Sequence, residues 1–297
     1  MTPADTYRAA LGSRLARASE FLSLTKPGLT ATSVATAVGA ALIASRGGSG
    51  VALNVLVGSG LLGGGAIALN QVIERGRDRA MKRTFRRPVA SGRIRPASAA
   101  AFGGILAAGG LLYLLAFTEA LAAALGALTL ALYLLVYTPL KTVTPYSTLL
   151  GAVPGALPPL IGWSAATGSI DLEGWVLFAI LFFWQIPHFL ALSWMYREDY
   201  ERGGYRFLPV VDRSGHLTAA QMLLYSVALC AAASLPFLMG NAGVWYLAGS
   251  SLASVAFAAA CFRFFIERSP GRARAVFFWS LAYLPTLATV ILVDALL

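Results

Sequence analysis

Residues 51–88 read VALNVLVGSGLLGGGAIALNQVIERGRDRAMKRTFRRP. As far as Ile73 there is no charged side chain, and a helix of about 20 such residues crosses the ~30 Å hydrocarbon core of a bilayer. From Glu74 onward the character reverses, and the stretch ends as the most basic loop in the chain. Asn70, Glu74 and Asp78 are spaced four apart at this change. On a helix they share one face, with about 6 Å of rise between neighbours. Oxygen donors so placed suit one or two hard cations. Arg83, Arg86 and Arg87 follow, and guanidinium forks match phosphate geometry. A basic collar at a membrane surface would account for the arginines alone. Two carboxylates and an amide in register exceed what solubility requires, so the stretch points to a metal-bound diphosphate site.

Working outward, the 297 residues are 58% hydrophobic and only 12% charged, against about 25% charged in soluble domains. Apolar runs recur at about 29–45, 51–74, 98–117, 120–138, 146–166, 174–196, 217–239, 243–265 and 275–295. The expected fold is an all-α polytopic membrane protein, about nine transmembrane helices around a central cavity. Residues 1–28 form an N-terminal segment and 29–297 a single transmembrane domain. Tyr7, Leu11, Leu15 and Leu22 mark one side of a short interfacial helix in that segment. The first 26 residues carry six charges and lack the compact apolar core of a signal peptide.

A net charge of +10 would suggest nucleic acid in a soluble protein. Here its placement speaks of topology instead. Of the 23 Lys and Arg, 22 fall in the N-terminus and the connections after spans 2, 4, 6 and 8; Arg46 alone lies on the other side. By the positive-inside rule the N-terminus is cytoplasmic. Cys230 and Cys261 lie in apolar runs as isolated thiols. No nucleophile triad, glycine-rich phosphate loop or zinc spacing is present.

A second connection, Tyr196-Arg197-Glu198-Asp199-Tyr200-Glu201-Arg202, repeats the acid-plus-arginine pattern, with Asp199 its strongest candidate for a second cation-binding wall. Lys141, after span 4, is either a topology lysine or a third cation aimed at phosphate. His216 reads as a loop residue heading span 7. Inside span 6, Trp184 and His188 are four apart, beside Gln185 and Pro187. A histidine deep in an apolar helix needs a partner. It is a packing group or one that orients a ligand.

The run Asn70-x-x-x-Glu74-x-x-x-Asp78-x-x-Met81-x-Arg83-Thr84-x-x-Arg87-Pro88 resembles the first acidic motif of the UbiA-type intramembrane prenyltransferases. YTPLKTVTPYSTLLGAVPGALPPLIGW (137–163), WQIPHFLALSW (184–194) and REDYERGGYRFLPV (197–210) resemble the subgroup that farnesylates protohaem IX. The resemblance spans roughly 22–210. It implies Mg²⁺ on Asn70, Glu74, Asp78 and Asp199, diphosphate contacts from Arg83, Arg87 and Lys141, and haem contacts from His188 and Trp184. It implies farnesyl diphosphate and protohaem IX as substrates, haem O as product, and an inner-membrane location with the site open to the cytoplasm. It also implies the lipid bilayer and a haem A-forming enzyme as partners, and no nucleic acid. Two departures stand out. The middle acid is Glu74 where many relatives carry Asp, and Asp199 has no second acid four residues away.

Three rival functions are open at this point. A sister enzyme would prenylate an aromatic quinone precursor on the same diphosphate site. A cation-coupled transporter would place its carboxylates nearer the bilayer midplane. A haem-handling partner would perform no chemistry.

Overall fold

The computed structural model describes residues 17–296. Within them the chain order is α1 (Pro27–Ala44), α2 (Ser49–Ile73), α3 (Arg75–Ala80), α4 (Pro96–Phe117), α5 (Ala120–Leu140), α6 (Ser147–Thr167), α7 (Leu172–Met195), α8 (Arg197–Arg202), α9 (Leu208–Val211), α10 (His216–Leu238), α11 (Val244–Ile266) and α12 (Pro270–Leu296). All but α3, α8 and α9 are long and apolar enough to cross a membrane, which makes nine among the described residues. The nine expected runs therefore all appear.

Two ends differ. α12 opens at Pro270, five residues before the expected start. Proline at the first helical position is pre-organised for the helix, and Arg272 Nε donates at 2.9 Å to Glu267 Oε2 just before it. His216 is the first residue of α10 rather than a loop residue. Of the four residues assigned to an interfacial helix, Tyr7, Leu11 and Leu15 lie outside the described residues. Leu22 falls in a helical stretch, 17–24, and is exposed.

The bundle has two apolar cores that share one wall. Ala37, Leu62, Leu114, Leu125 and Leu160 represent α1, α2, α4, α5 and α6 in the first core. Ala156, Leu190, Leu229, Phe257 and Val276 bring α6 together with α7, α10, α11 and α12 in the second. α6 belongs to both and is the most enclosed helix. It runs unbroken through Pro154, Pro158 and Pro159. Gly155 leaves the room in which Gln185 of α7 sits. That buried amide donates to Ala152 O at 3.0 Å and to Leu181 O at 3.1 Å, tying α7 to α6.

Glycine sets the other close seam. A Cβ on Gly65 of α2 would lie 2.5 Å from the Ala107 nitrogen of α4. One on Gly110 of α4 would lie 2.5 Å from the Leu62 nitrogen of α2. The two backbones touch, as small residues permit between membrane helices.

Gly65→Ala is expected to destabilise the bundle by about 1–3 kcal/mol, the usual cost of overpacking. Gly60→Ala is the control, because a Cβ there meets nothing within 4 Å. Thermal unfolding in detergent should lower the midpoint for the first variant and leave it level or higher for the second.

Candidate functional site

α2 does not run through the acidic motif. It stops at Ile73, and Glu74 caps it with φ −87° and ψ 1° before α3 begins. Gly76 in the next turn weakens helical continuation. The single helical face expected for Asn70, Glu74 and Asp78 is therefore interrupted. The first two still meet, with Asn70 Nδ2 donating to Glu74 Oε2 at 2.7 Å. Asp78 turns to a different partner.

Each acid has its own cation from elsewhere in the chain. Lys141 Nζ donates to Glu74 Oε1 at 2.9 Å. Arg87 reaches both oxygens of Asp78, at 2.7 and 2.8 Å from one nitrogen. Glu74 is 5% exposed and Asp78 0%. Burial would raise the Glu74 carboxyl. The Lys141 ammonium outweighs it, with hydrogen bonds from Lys141, Asn70 and Tyr205, and holds Glu74 below the usual carboxylate range. Burial and the charges of Glu74 and Asp78 push the Tyr205 phenol far up, so it stays a protonated donor.

Lys141 is brought in by an irregular helix end. α5 passes through a π-helical turn over Leu132–Tyr137 before its last residues. Pro139 has no N–H to give the preceding turn, and such turns cluster at functional sites. Thr138 Oγ1 donates to Asn70 Oδ1 at 2.7 Å. The Lys141 ammonium sits 4.3 Å from the centre of the Tyr137 ring, a cation–π contact.

The two acid-and-arginine connections meet. Asp199 of α8 accepts from the backbone nitrogens of Lys82 at 2.7 Å and Arg83 at 3.1 Å. Arg202 donates to the same carboxylate at 2.6 Å. Burial raises the Asp199 carboxyl, but these three donors leave it below its ordinary value. Arg83 lies over the rings of Tyr196 and Tyr200 and donates to the Tyr200 hydroxyl at 2.8 Å. Met81, Tyr205, Phe207 and Val210 pack into a small apolar plug at this junction.

The expected quartet of cation ligands is thus divided. Glu74, Asp78 and Asp199 sit in three separate ion pairs. Among the described residues no three His, Cys, Asp or Glu side chains converge as a ready cation site. A cavity of about 590 Å³ opens beside α8 and takes in Lys82, Arg83, Asp199 and Arg202. Glu74 and Asp78 lie outside its lining, sealed by their own cations.

Lys26 belongs with the site, although its sequence position suggested only a topology charge. It precedes Pro27 in the left-handed region, φ 44° and ψ 68°. Backbone strain of this kind persists only where the surroundings impose it. Buried Gln71 does so by donating to Leu24 O at 2.7 Å, and Leu24 is fully buried. Burial, then the charge of Arg87, pushes the Lys26 ammonium down to about 8; Asp78 and Glu74 pull the other way. The one signal in the sequence was a lysine at the membrane boundary immediately before a helix-opening proline.

His188 and Trp184 lie farther along, within α7, against α12. His188 Nδ1 is 2.7 Å from Ser280 Oγ. Trp184 Nε1 donates to Ser280 O at 2.8 Å. The imidazole stacks on Trp184 and Phe277 at centroid distances of 5.1 and 4.9 Å.

The sequence model of the UbiA prenyltransferase family matches residues 33–282. A protoheme IX farnesyltransferase of Solibacter usitatus (strain Ellin6076) is 46% identical over 242 residues, 82% of this chain and 83% of that protein. The chain belongs to the UbiA prenyltransferase family. Solved structures share its fold at low identity. A digeranylgeranylglyceryl phosphate synthase superposes with a TM-score of 0.79 at 19% identity, over 93% of this chain and 98% of the other. A UbiA homologue from Archaeoglobus fulgidus, bound to GPP and Mg²⁺, gives 0.62 at 16% identity, over 92% and 99%.

The buried Arg87–Asp78 pair is open to a double-mutant cycle. Arg87→Ala leaves an uncompensated buried carboxylate and is expected to destabilise by about 3–5 kcal/mol. Adding Asp78→Asn should recover much of that loss. Additive effects in denaturation of the four proteins would contradict the coupling.

Proposed function

We propose that this chain transfers the farnesyl group of farnesyl diphosphate to a vinyl group of protohaem IX, with addition of water, giving haem O and diphosphate. The observation that carries this reading is the pair of buried carboxylates, each held on its own cation at the end of the apolar bundle. It occurs in a chain 46% identical to a protoheme IX farnesyltransferase.

The prenyl C1–oxygen bond breaks, and its electron pair leaves on the diphosphate. The vinyl π pair forms the new bond to the allylic C1. Water then adds to the resulting carbocation and loses a proton, leaving a hydroxyl. The site's contribution is charge at the departing oxygens. Lys141 and Arg87 are already at hand on Glu74 and Asp78, and Lys26 and Arg83 lie around them. When diphosphate arrives, these cations transfer part of their contacts from carboxylate to phosphate.

Asn70, Glu74 and Asp78 would hold a divalent cation through hard oxygen donors, once Lys141 and Arg87 pass from the two carboxylates to phosphate. Mg²⁺ held there would supply charge neutralisation of the diphosphate. Asp199 we assign to a different task. Two backbone amides and Arg202 occupy its carboxylate, so it pins the loop that carries Arg83 and Arg87.

His188 and Trp184 seat the porphyrin, in an apolar setting that keeps water from the allylic cation before attack. We place the protein in the cytoplasmic membrane with its Lys- and Arg-rich end inside.

Mass spectrometry of haem extracted after incubation with farnesyl diphosphate and Mg²⁺ should show haem O. Product should be absent with a chelator. A farnesylated hydroxybenzoate in place of haem O would instead establish the quinone-precursor reaction. Asp78→Asn should abolish turnover in protein that remains folded in membranes.

Lys26→Ala should raise KM for farnesyl diphosphate about tenfold, the loss of one charge-assisted contact of about 1.5 kcal/mol. A lysine titrating near 8 loses its charge as pH rises, so wild-type KM should climb above that pH. Lys26→Arg, charged throughout, should flatten the climb. An unchanged profile would remove Lys26 from the diphosphate site.

A further inference from the structure

Ser280 is fully buried in α12 and makes two short contacts through one oxygen. Its Oγ lies 2.5 Å from the Phe277 carbonyl oxygen, to which it donates. The same Oγ lies 2.7 Å from His188 Nδ1 on α7. A serine hydroxyl has one hydrogen and spare lone pairs. If Nδ1 carried only its lone pair, nitrogen and carbonyl would compete for that hydrogen. The loser would face an oxygen lone pair at hydrogen-bond distance. If Nδ1 carries the hydrogen, both contacts are hydrogen bonds: His188 donates to Ser280, and Ser280 donates to Phe277.

The neutral ring then has its free electron pair on Nε2. Among the described residues Nε2 has no hydrogen-bond partner, and it is absent from the enclosed, unsatisfied polar atoms. The ring stacks on both Trp184 and Phe277, at interplanar angles of 20° and 26°. The Ser280 carbonyl also holds the Trp184 indole. One residue therefore fixes the histidine's tautomer through its side chain and the stacking partner through its backbone.

We propose that Ser280 is a positioning residue that sets His188 as the Nδ1–H tautomer, so that Nε2 serves as an axial ligand to the iron of the porphyrin acceptor. This rests on the reading that protohaem is the acceptor. An Nδ1–H that donates to an oxygen also raises the electron-donating power of Nε2 toward a metal.

Two experiments test it. The chain has two histidines, so ¹⁵N-histidine NMR of the intact protein needs no change near the site; His216→Gln assigns the signals. His188 should show a protonated Nδ1 and an unprotonated Nε2. The reverse assignment would overturn the proposal.

The second experiment adds protohaem to the full-length protein and follows optical and resonance Raman spectra. Wild type should give a histidine-ligated haem that His188→Ala abolishes. Ser280→Ala should weaken haem binding about tenfold, the lower end for losing a partner of a metal-ligating histidine, and lower the iron–histidine stretching frequency. Ser280→Thr, which keeps the hydroxyl, should restore both.

A His188-dependent spectrum indifferent to Ser280→Ala would overturn the role of Ser280 alone. A haem complex with no dependence on His188 would overturn the ligation itself. Failure of the wider reading would be separate, since it would appear as absence of haem O from the product assay.

Discussion

Carboxylates cannot remain ionised inside an apolar bundle unless something neutralises them where they sit. Glu74 and Asp78 are buried at the end of α2 and in α3, and an isolated buried charge is far costlier than a paired one. Much of the local architecture answers that requirement. Lys141 arrives from the end of α5 through its π-helical turn, and Arg87 from the loop that follows α3. Asp199 in turn fixes that loop through its backbone amides. Segments more than a hundred residues apart are thus tied together by charge and hydrogen bonding rather than by apolar contact alone.

The same arrangement suits prenyl transfer from a diphosphate. A site that holds acids and cations in contact has both halves of a recognition surface in place. The acids are held on the cations, Glu74 on Lys141 and Asp78 on Arg87, so an arriving metal-bound diphosphate would exchange partners within the site. Neither set needs to be brought from solvent at the moment of reaction. The proposed porphyrin seat at His188 belongs to a different part of the bundle. α7 and α12 form it, and rings and a serine do there what ion pairs do at the bundle end.

The close-packed glycine seam and the twin cores explain how such polar groups are tolerated. Backbone contact between α2 and α4, and the enclosed α6 shared by both cores, give the bundle a rigid frame. The frame supports a strained Lys26 and a loop rich in arginine.

The amino-acid sequence by itself determined the nine spans, because uncharged runs of bilayer length have one economical way to satisfy their backbone groups. It also brought Asn70, Glu74, Asp78, Arg87, Lys141 and His188 to notice, since polar groups in or beside apolar helices are conspicuous. Partnership was not legible there. The spacing of Asn70, Glu74 and Asp78 suggested one continuous face, whereas the helix breaks at Glu74 and Asp78 pairs with Arg87. Asp199 resembled a cation ligand, but three donors from two segments occupy it. Lys26 carried only a weak signal, a lysine just before a helix-opening proline, and Ser280 none, being one serine in an apolar run. Their neighbours lie at long sequence separation, and such contacts depend on how helices pack, which hydropathy and spacing do not encode.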